Sequence, residues 1–391
     1  MTPGEPHPDT NDPPLAARPV EAVSHDGGAT GPRILAVATQ GAGGDDEARL
    51  RALLVGARAE FFPFDRRAKR RSFFGLWKAI RGGRPDLLMV EGTGIAGGVA
   101  AMLGRRLHGV PYVISSGDSV GPFMAARSPL LGPPFALYER LLCRWSAGFI
   151  GWTPYLAGRA LTFGAPRAMT APGWAPSKLA AGEWARRRAE VRRRLGVDED
   201  AVIIGIVGSL TWNRRYAYCY GLELVRAMAR VSRAKVCALI VGDGDGRANL
   251  ERIAAENARG NVILTGRVPR DEVPHYLAAM DLASLPQSRD RVGSFRYTTK
   301  ISEYMAAGLP IVTGQIPLAY DLDSGWIWRL PGWSPWSPEY INALAMLLDR
   351  LTPAELAARR DAVPIDHPDF QAERQILRVS EFLNDIVASQ K

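Results

Sequence analysis

The chain has 391 residues, of which 47% are hydrophobic and 23% are charged, a composition typical of a soluble globular protein that is too long for one compact core. Its 49 Lys and Arg residues exceed its 40 Asp and Glu residues, so the formal net charge is +9, but this charge is too dispersed to indicate a dedicated nucleic-acid binder. We therefore expect two domains, an anionic small ligand or an anionic lipid surface as partner, and no nucleic acid.

Residues 1–32 are rich in Pro, Gly and Asp and contain no aromatic residue, so they cannot bury enough apolar surface to offset the entropy of ordering. We interpret them as a disordered tail. The chain shows no secretory signal pattern and no apolar run of about 18 residues. Its three cysteines, Cys143, Cys219 and Cys237, are too far apart for a zinc motif. These features predict a cytoplasmic protein with free thiols. Such a protein can also bind, as a peripheral protein, to the anionic inner face of the plasma membrane.

From residue 33 onward, short β-branched runs alternate with helical stretches, as in parallel sheets whose strands are joined by crossover helices. The first series of predicted strands covers residues 34–39, 86–91, 112–116 and 149–152. The second series covers residues 202–208, 236–242, 262–266, 282–285 and 310–313. The pattern predicts an α/β fold of two tandem Rossmann-like, doubly wound domains that face each other across a cleft, with ligands beyond the carboxyl ends of the strands.

Domain boundaries follow from this alternation. After the tail, we assign residues 33–175 to a first α/β domain and residues 201–355 to a second. Residues 176–200 between them form a Pro/Gly turn and an Arg-rich stretch without a strand signal, which we interpret as a linker. Residues 356–391 are C-terminal helices, and such a tail can pack back on the first domain.

Two glycine-rich turns follow predicted strands of the first domain. At Gly43 and Gly44 a phosphate or a sugar can approach the backbone closely, although a flexible turn explains the same residues. Residues 92–97 read G-x-G-x-x-G, with Asp118 about 20 residues later, which matches the dinucleotide-binding fingerprint. This motif opens the third strand–helix unit, whereas the dinucleotide-binding fingerprint normally opens the first. An NAD(P)-dependent oxidoreductase is therefore kept as the alternative function.

Residues 61–81 interleave aromatic side chains with seven positive charges. Such a segment suits an anionic membrane interface, with the cations toward the headgroups. The same composition can bind nucleic acid by phosphate contacts and base stacking. A helix with a solvated basic face explains it equally well.

The strongest local pattern lies at residues 297–312: a polar loop, a short helix, and a Gly-Pro stop before a strand. The free N–H groups at the helix start, near Thr298 and Thr299, form an anion site suited to a diphosphate. Glu303, one turn inside the helix, can accept hydrogen bonds from a ribose diol. The alternative is a capped amphipathic helix with an exposed glutamate.

This stretch resembles the donor-site signature of retaining glycosyltransferases with two Rossmann-like domains (GT-B), in particular family 4, also called group 1. The matching residues are Lys300, Glu303, Tyr304, Ala306, Gly308, Pro310 and Val312. Supporting stretches at 207–210, 240–244, 261–267 and 271–281 follow in the family's order. The resemblance implies a hexosyltransferase-like enzyme (EC 2.4) that moves a sugar from a nucleotide-sugar to a hydroxyl of a glycan, polysaccharide or lipid-linked acceptor. It implies retention of configuration, no metal and no other cofactor, with the acceptor on the first domain and the donor on the second.

The resemblance also implies roles for individual residues. Glu303 would bind the donor ribose, and Arg267 and Val268 would lie near the base. Thr298, Thr299 and Lys300 would lie at the donor, the two threonines near the diphosphate. The turn at Gly43 and Gly44 corresponds to a Gly-Gly loop that lines the family's cleft.

Departures from the family are visible at three positions. The first family glutamate, which contacts donor-sugar hydroxyls, falls on Phe295, and the diphosphate-holding Arg and Lys fall on Ser209 and Tyr220. The nearest replacements are Arg214 and Arg215, because Arg can clamp phosphate with two hydrogen bonds; a solvated loop is the alternative.

A further departure is Asp118, which stands where the family commonly has a His. We expect Asp118 to contact the donor sugar or the acceptor, or else to cap the following helix. The reaction would then rest on Asp118 and on stabilisation of the departing diphosphate by Arg214, Arg215 and the helix start at Thr298 and Thr299. A non-catalytic carbohydrate-binding or membrane-binding relative is a further alternative.

Overall fold

The computed structural model describes residues 31–390, except residues 177, 181, 258–260 and 298–299. The tail predicted at 1–32 lies outside the described residues, apart from its last two positions. The described part of the chain forms two α/β units, each built on a parallel sheet. We call these units the first and the second domain.

The first sheet contains the strands β1 (Ile34–Ala38), β2 (Ala59–Phe61), β3 (Leu87–Glu91), β4 (Tyr112–Ser116), β5 (Gly148–Gly151) and β6 (Ala168–Thr170). Their order is β2-β1-β3-β4-β5-β6, and all pairs are parallel. The crossover helices are α1 (Asp45–Leu53), α2 (Lys69–Gly83), α3 (Ile95–His108), α4 (Val120–Arg127), α5 (Gly132–Arg144) and α6 (Pro154–Thr162). The central strands are buried along their whole length, as expected for a sheet that is covered by helices on both faces.

The second domain begins with helix α7 (Glu183–Leu195). Its strands are β7 (Val202–Val207), β8 (Val236–Val241), β9 (Val262–Gly266), β10 (Leu282–Leu285), β11 (Ile311–Gly314) and β12 (Ile327–Leu330). Its further helices are α8 (Leu222–Met228), α9 (Arg247–Asn257), α10 (Val273–Ala279), α11 (Lys300–Ala306), α12 (Leu318–Asp321), α13 (Pro338–Arg350) and α14 (Pro353–Asp361). The parallel strand order is β12-β11-β10-β7-β8-β9, so the prediction of two doubly wound α/β domains is confirmed.

Helix α7 lies within the stretch interpreted as a linker, yet it packs against α10 of the second domain. Arg192 of α7 is only 1% exposed, and its Nη2 lies 2.6 Å from Asp281 Oδ2. Arg188 Nη2 lies 2.5 Å from the other carboxylate oxygen of Asp281, and the backbone N–H of Ile203 donates to Oδ2 at 2.8 Å. One buried carboxylate therefore ties α7 to the first strand of the second sheet.

The C-terminal helix α15 (Ala372–Ala388) returns to the first domain. Its side chains Val379, Leu383 and Ile386 share a hydrophobic cluster with β1 and β3. The Gln375 side-chain amide forms two hydrogen bonds of 2.8 Å with the backbone of Gly173. The chain thus crosses between the domains twice.

Helix α2 contains most of the basic–aromatic segment 61–81. Its buried face carries Leu76 and Ile80, and its outer face carries cations around Phe74, which is 65% exposed. Among the described residues, no helix combines the length and the apolar character needed to cross a bilayer. Docking of the α2 face on an anionic membrane stays a prediction.

Candidate active site

A cavity of about 660 Å³ lies between the two domains. Helix α4 contributes Phe123, Ala126 and Arg127 from the first domain, and the loops after β7 and β10 contribute the opposite wall. The loops that follow parallel strands are where open α/β sheets bind their ligands. This cavity is therefore the candidate site.

The loop after β7 brings two of the predicted residues to the cavity. Ser209 and Arg215 line it, and Ser209 Oγ lies 2.8 Å from the hydroxyl oxygen of Thr211. The Arg215 guanidinium donates to the carbonyl oxygen of Ala126 and so touches the first domain. Arg214 is exposed, is not among the lining residues, and within the described residues makes no hydrogen bond or ion pair. The structure therefore favours Arg215 over Arg214 as a ligand contact.

Lys300, the first residue of α11, reaches back toward the end of β7. Its Nζ lies 4.4 Å from the ring centroid of Tyr220, and a Cβ added to Gly208 would lie 2.8 Å from that nitrogen. Tyr220 lines the cavity and stands where the resemblance places the family's missing lysine. The ammonium group of Lys300 therefore lies beside Tyr220, although Tyr220 itself replaces the lysine that the family has at this position.

The remaining predicted donor residues are more scattered. Glu303 is half-buried and lines a separate cavity of about 530 Å³ beside Trp184 and Arg360. Burial raises the pKa of Glu303, and the cations Lys300 and Arg270 lower it. Arg267 is exposed and Val268 packs against the second-domain core; Thr298 and Thr299 lie outside the described residues.

Asp118 and Phe295 both contact the opposite domain. Asp118 Oδ1 lies 2.5 Å from Arg296 Nη2, and Arg296 lines the cavity. Phe295 packs against the hydrophobic core of the first domain and is not among the residues that line the cavity between the domains. The structure thus ties Asp118 to a residue of this cavity, whereas Phe295 lines a neighbouring cavity of about 780 Å³ that residues of both domains enclose.

The two glycine turns of the first domain have different causes, since an added Cβ at Gly43 would meet nothing within 4 Å. Gly43 has a left-handed φ of +76°, and its N–H donates to Glu47 Oε2 at 2.6 Å; Gly44 is exposed beside it. A Cβ added at Gly94 or Gly97 would lie 2.7 or 2.5 Å from the Thr39 side chain. Contact with Thr39 therefore accounts for the glycines of the G-x-G-x-x-G motif without a dinucleotide.

Two carboxyl groups of the first domain were not among the sequence-based candidates. Asp46, in the first turn of α1, is half-buried, and in the described part of the chain its carboxylate has neither a hydrogen bond nor an ion pair. Burial raises the pKa of Asp46, as do the neighbouring charges of Asp118 and Asp45. The first domain thus contributes the carboxylates of Asp46 and Asp118 together with the cavity-lining Arg127, whereas the second-domain side carries Arg215 and Lys300.

Glu91 is the second of these carboxyl groups and ends the otherwise apolar strand β3. It is 1% exposed, accepts a hydrogen bond of 3.1 Å from Trp152 Nε1, and lies 3.8 Å from Arg49 Nε. Burial raises the pKa of Glu91 to about 7, against the opposing effect of Arg49. In the sequence, the signal for Glu91 is a charged residue at the end of an otherwise apolar strand.

We expect Glu91→Gln to change how stability depends on pH. A folded-state pKa raised above the unfolded value favours the folded state at low pH, and this advantage is lost as the pH rises through the folded-state pKa of about 7. The wild type should therefore lose on the order of 3 kcal/mol of unfolding free energy relative to the variant between pH ~4.5 and pH ~7, since one pKa unit corresponds to about 1.4 kcal/mol. Urea denaturation of both proteins across this range measures the difference, and parallel pH profiles would refute it.

Comparison with protein families matches both halves of the chain. Residues 201–327 match the family model "Glycosyl transferases group 1", and residues 16–174 match the "Glycosyl transferase 4-like domain". A 2-deoxystreptamine glucosyltransferase of Streptomyces kanamyceticus is 29% identical over 240 residues, which cover 58% of each chain. An alpha-D-kanosaminyltransferase of the same organism is 28% identical over 169 residues, or 42% of this chain and 40% of the relative. The chain is thus matched to roughly half the length of these curated relatives.

Solved structures share the architecture at low sequence identity. Anabaena Alr3699/HepE in complex with UDP and glucose superposes with a TM-score of 0.67 and 17% identity, over 90% of this chain and 100% of that one. WaaG, a glycosyltransferase involved in lipopolysaccharide biosynthesis, gives a TM-score of 0.59 and 15% identity over 90% of this chain and 99% of that one. At this level of identity, the likeness shows the fold alone.

Proposed function

We infer that this chain, which belongs to the group 1 glycosyltransferases, transfers a sugar from a nucleoside-diphosphate donor to a hydroxyl group of an acceptor. The observation that carries this proposal is the distribution of charge across the cavity. Arg215 lines its second-domain wall, and Lys300 lies against Tyr220 on the same side. Cations that are fixed before the substrate arrives stabilise a departing diphosphate most effectively.

In the proposed reaction, the bond between the anomeric carbon and the diphosphate oxygen breaks, and a bond from that carbon to the acceptor oxygen forms. The acceptor proton passes to the departing diphosphate, and Lys300 and Arg215 offset the negative charge that develops there. Retention of configuration and independence from a metal are part of this proposal, as the family resemblance implies. Asp118 orients the acceptor or the donor sugar through its second carboxylate oxygen while Oδ1 stays paired with Arg296.

Calorimetric titration with UDP, UDP-glucose, ADP, GDP and NAD⁺ tests the donor class. UDP is the first choice because the superposed Anabaena protein is described in complex with UDP and glucose. We expect saturable binding of a nucleoside diphosphate and no binding of NAD⁺. Binding of NAD⁺ alone would favour the oxidoreductase alternative, and the absence of any nucleotide binding would favour a non-catalytic relative.

For the acceptor, we propose a small polyol that carries ammonium groups. Two relatives are named for aminocyclitol or amino-sugar chemistry, a 2-deoxystreptamine glucosyltransferase and an alpha-D-kanosaminyltransferase. Burial and the acidic neighbours Asp118 and Asp45 raise the pKa of Asp46, against the opposing effect of Arg49. This half-buried carboxylate, which has no ion pair within the described residues, is complementary to a cation. Glycan, polysaccharide and lipid-linked acceptors are the alternatives that the following test separates.

We expect Asp46→Asn to raise the KM for 2-deoxystreptamine about tenfold, because a lost charge-assisted contact costs about 1.4 kcal/mol. The KM for the donor and the KM for a neutral polyol such as myo-inositol should stay within about twofold. Asp271→Asn, at an exposed carboxylate outside the cleft, is the matched control. Equal effects of Asp46→Asn on charged and neutral acceptors would refute the proposed role of charge.

A further inference from the structure

A segment of the second domain crosses the cleft and contacts the first domain. This crossing segment, residues 290–296, belongs to the loop that joins β10 to α11. Ser119 Oγ donates to the carbonyl oxygen of Arg291 at 3.1 Å, and Thr153 Oγ1 donates to the carbonyl oxygen of Phe295 at 2.8 Å. The ion pair of Arg296 with Asp118 adds a third contact. Three side chains of the first domain thus hold seven residues of the second.

The ring of Phe295 occupies an apolar recess of the first domain. It packs against the buried cluster that contains Leu142 and Phe149, and the guanidinium of Arg159 lies 5.6 Å from its ring centroid. Glu139 holds Arg159 with a contact of 2.7 Å. The recess therefore holds the Phe295 ring between the first-domain core and the guanidinium of Arg159.

The crossing segment is itself shaped by the second domain. The carboxylate of Asp290 accepts hydrogen bonds of 2.8 Å from the N–H groups of both Val292 and Gly293. A Cβ on Gly293 would lie 2.2 Å from the carbonyl oxygen of Ser288, so this turn requires glycine. Since the turn is fixed before it reaches the first domain, Phe295 is presented at a defined distance from its own sheet.

We propose that these residues form an interdomain clasp in which Phe295 is the positioning residue for catalysis. The clasp comprises Asp118, Ser119 and Thr153 of the first domain, and Arg291, Phe295 and Arg296 of the second. Its last residue lies four positions before Lys300, so the clasp limits how far the start of α11 can move from the first domain. The clasp as a structural contact does not depend on the proposed function, whereas its effect on catalysis does.

Loss of the clasp should therefore affect the rate of transfer and not the affinity for the nucleotide. The proposed diphosphate contacts of Lys300 and Arg215 lie on the second domain, so loss of the clasp leaves nucleotide binding intact. The distance between donor and acceptor depends on both domains. A misplacement of about 1 Å between reacting groups costs about a hundredfold in rate, so loss of the clasp lowers kcat.

Distances between spin labels on the two domains test the clasp without any substrate. Labels at Leu107 of the first domain and Met346 of the second, both exposed, report the domain separation in the full chain. Phe295→Ala should broaden this distance distribution and shift it to longer values, and Phe295→Leu should restore most of the wild-type distribution. Phe74→Ala, the same change at an exposed phenylalanine, should leave it unchanged.

Kinetics supply the second readout. Phe295→Ala should lower kcat by about tenfold to a hundredfold, with the Kd for UDP within about twofold of the wild-type value. Ser119→Ala, which removes one hydrogen bond and no helix cap, should act in the same direction with a smaller effect. Unchanged distance distributions in both Phe295→Ala and Ser119→Ala would overturn the clasp, whereas a failure of the proposed transferase activity would leave the distance measurement valid.

Discussion

Replacing Lys300 with Met should lower kcat/KM for the nucleotide-sugar by at least about a hundredfold. The ammonium group lies 4.4 Å from the Tyr220 ring centroid, beside the turn after β7, and it offers the departing diphosphate a full positive charge inside a cleft. Removal of one preorganised group that stabilises developing charge typically costs about 10²–10³ in rate. Met keeps the aliphatic contact with Tyr220, so the melting temperature should stay close to that of the wild type.

Steady-state kinetics with the donor identified by calorimetry measures this effect. Lys235→Met removes an exposed lysine that pairs with Asp200 on the surface, and it should leave the kinetic constants unchanged. Lys300→Arg should retain part of the activity because it keeps the charge. If Lys300→Met lost stability but kept kcat/KM, Lys300 would be a packing residue and the diphosphate would lie elsewhere.

Asp281→Asn should lower the free energy of unfolding by about 3–5 kcal/mol, the range measured when one partner of a buried ion pair is removed. Asp281 is 5% exposed and pairs with both Arg188 and Arg192. Burial lowers the pKa of Arg360, and Asp281 raises it. Loss of this negative charge therefore leaves Arg188 and Arg192 without their ion-pair partner and removes a charge that favours the protonated form of Arg360.

Urea denaturation at pH 7 measures this loss. Asp271→Asn, at an exposed carboxylate in the 3-10 turn before α10, should change stability by less than about 0.5 kcal/mol. An effect of Asp281→Asn as small as that of the control would mean that water reaches the cluster and screens its charges.

The sequence predicts the two α/β domains because their central strands are continuous apolar runs with turns at each end. It misses β2 and β6, which have only three residues each, and β12, whose four residues include the charged Arg329. Strands this short carry too little periodicity to separate them from loops. The sequence predicts a linker at residues 176–200 because they lack a strand signal, whereas the structure places helix α7 there with Arg192 buried and paired with Asp281, 89 residues away in the chain.

Within the site, local motifs find the residues of the second domain better than those of the first. Lys300 and Glu303 belong to one continuous signature, so a single sequence suffices to single them out. The roles of Asp46 and Glu91 depend on burial between elements that are distant in the chain, and no local pattern encodes that burial. At Phe295 the departure from the family is visible in the sequence, but the direction of its ring depends on a recess that the first domain provides.

Mass spectrometry of a reaction that contains the full chain, UDP-glucose and 2-deoxystreptamine measures sugar transfer from a nucleoside-diphosphate donor. We expect an acceptor product that has gained one hexosyl unit, with release of one UDP per product, and a strong reduction of both in Lys300→Met. Substitution of the other common nucleotide sugars and of neutral acceptors extends the same assay. Absence of both nucleoside-diphosphate release and glycosylated product across this panel would contradict the proposed function.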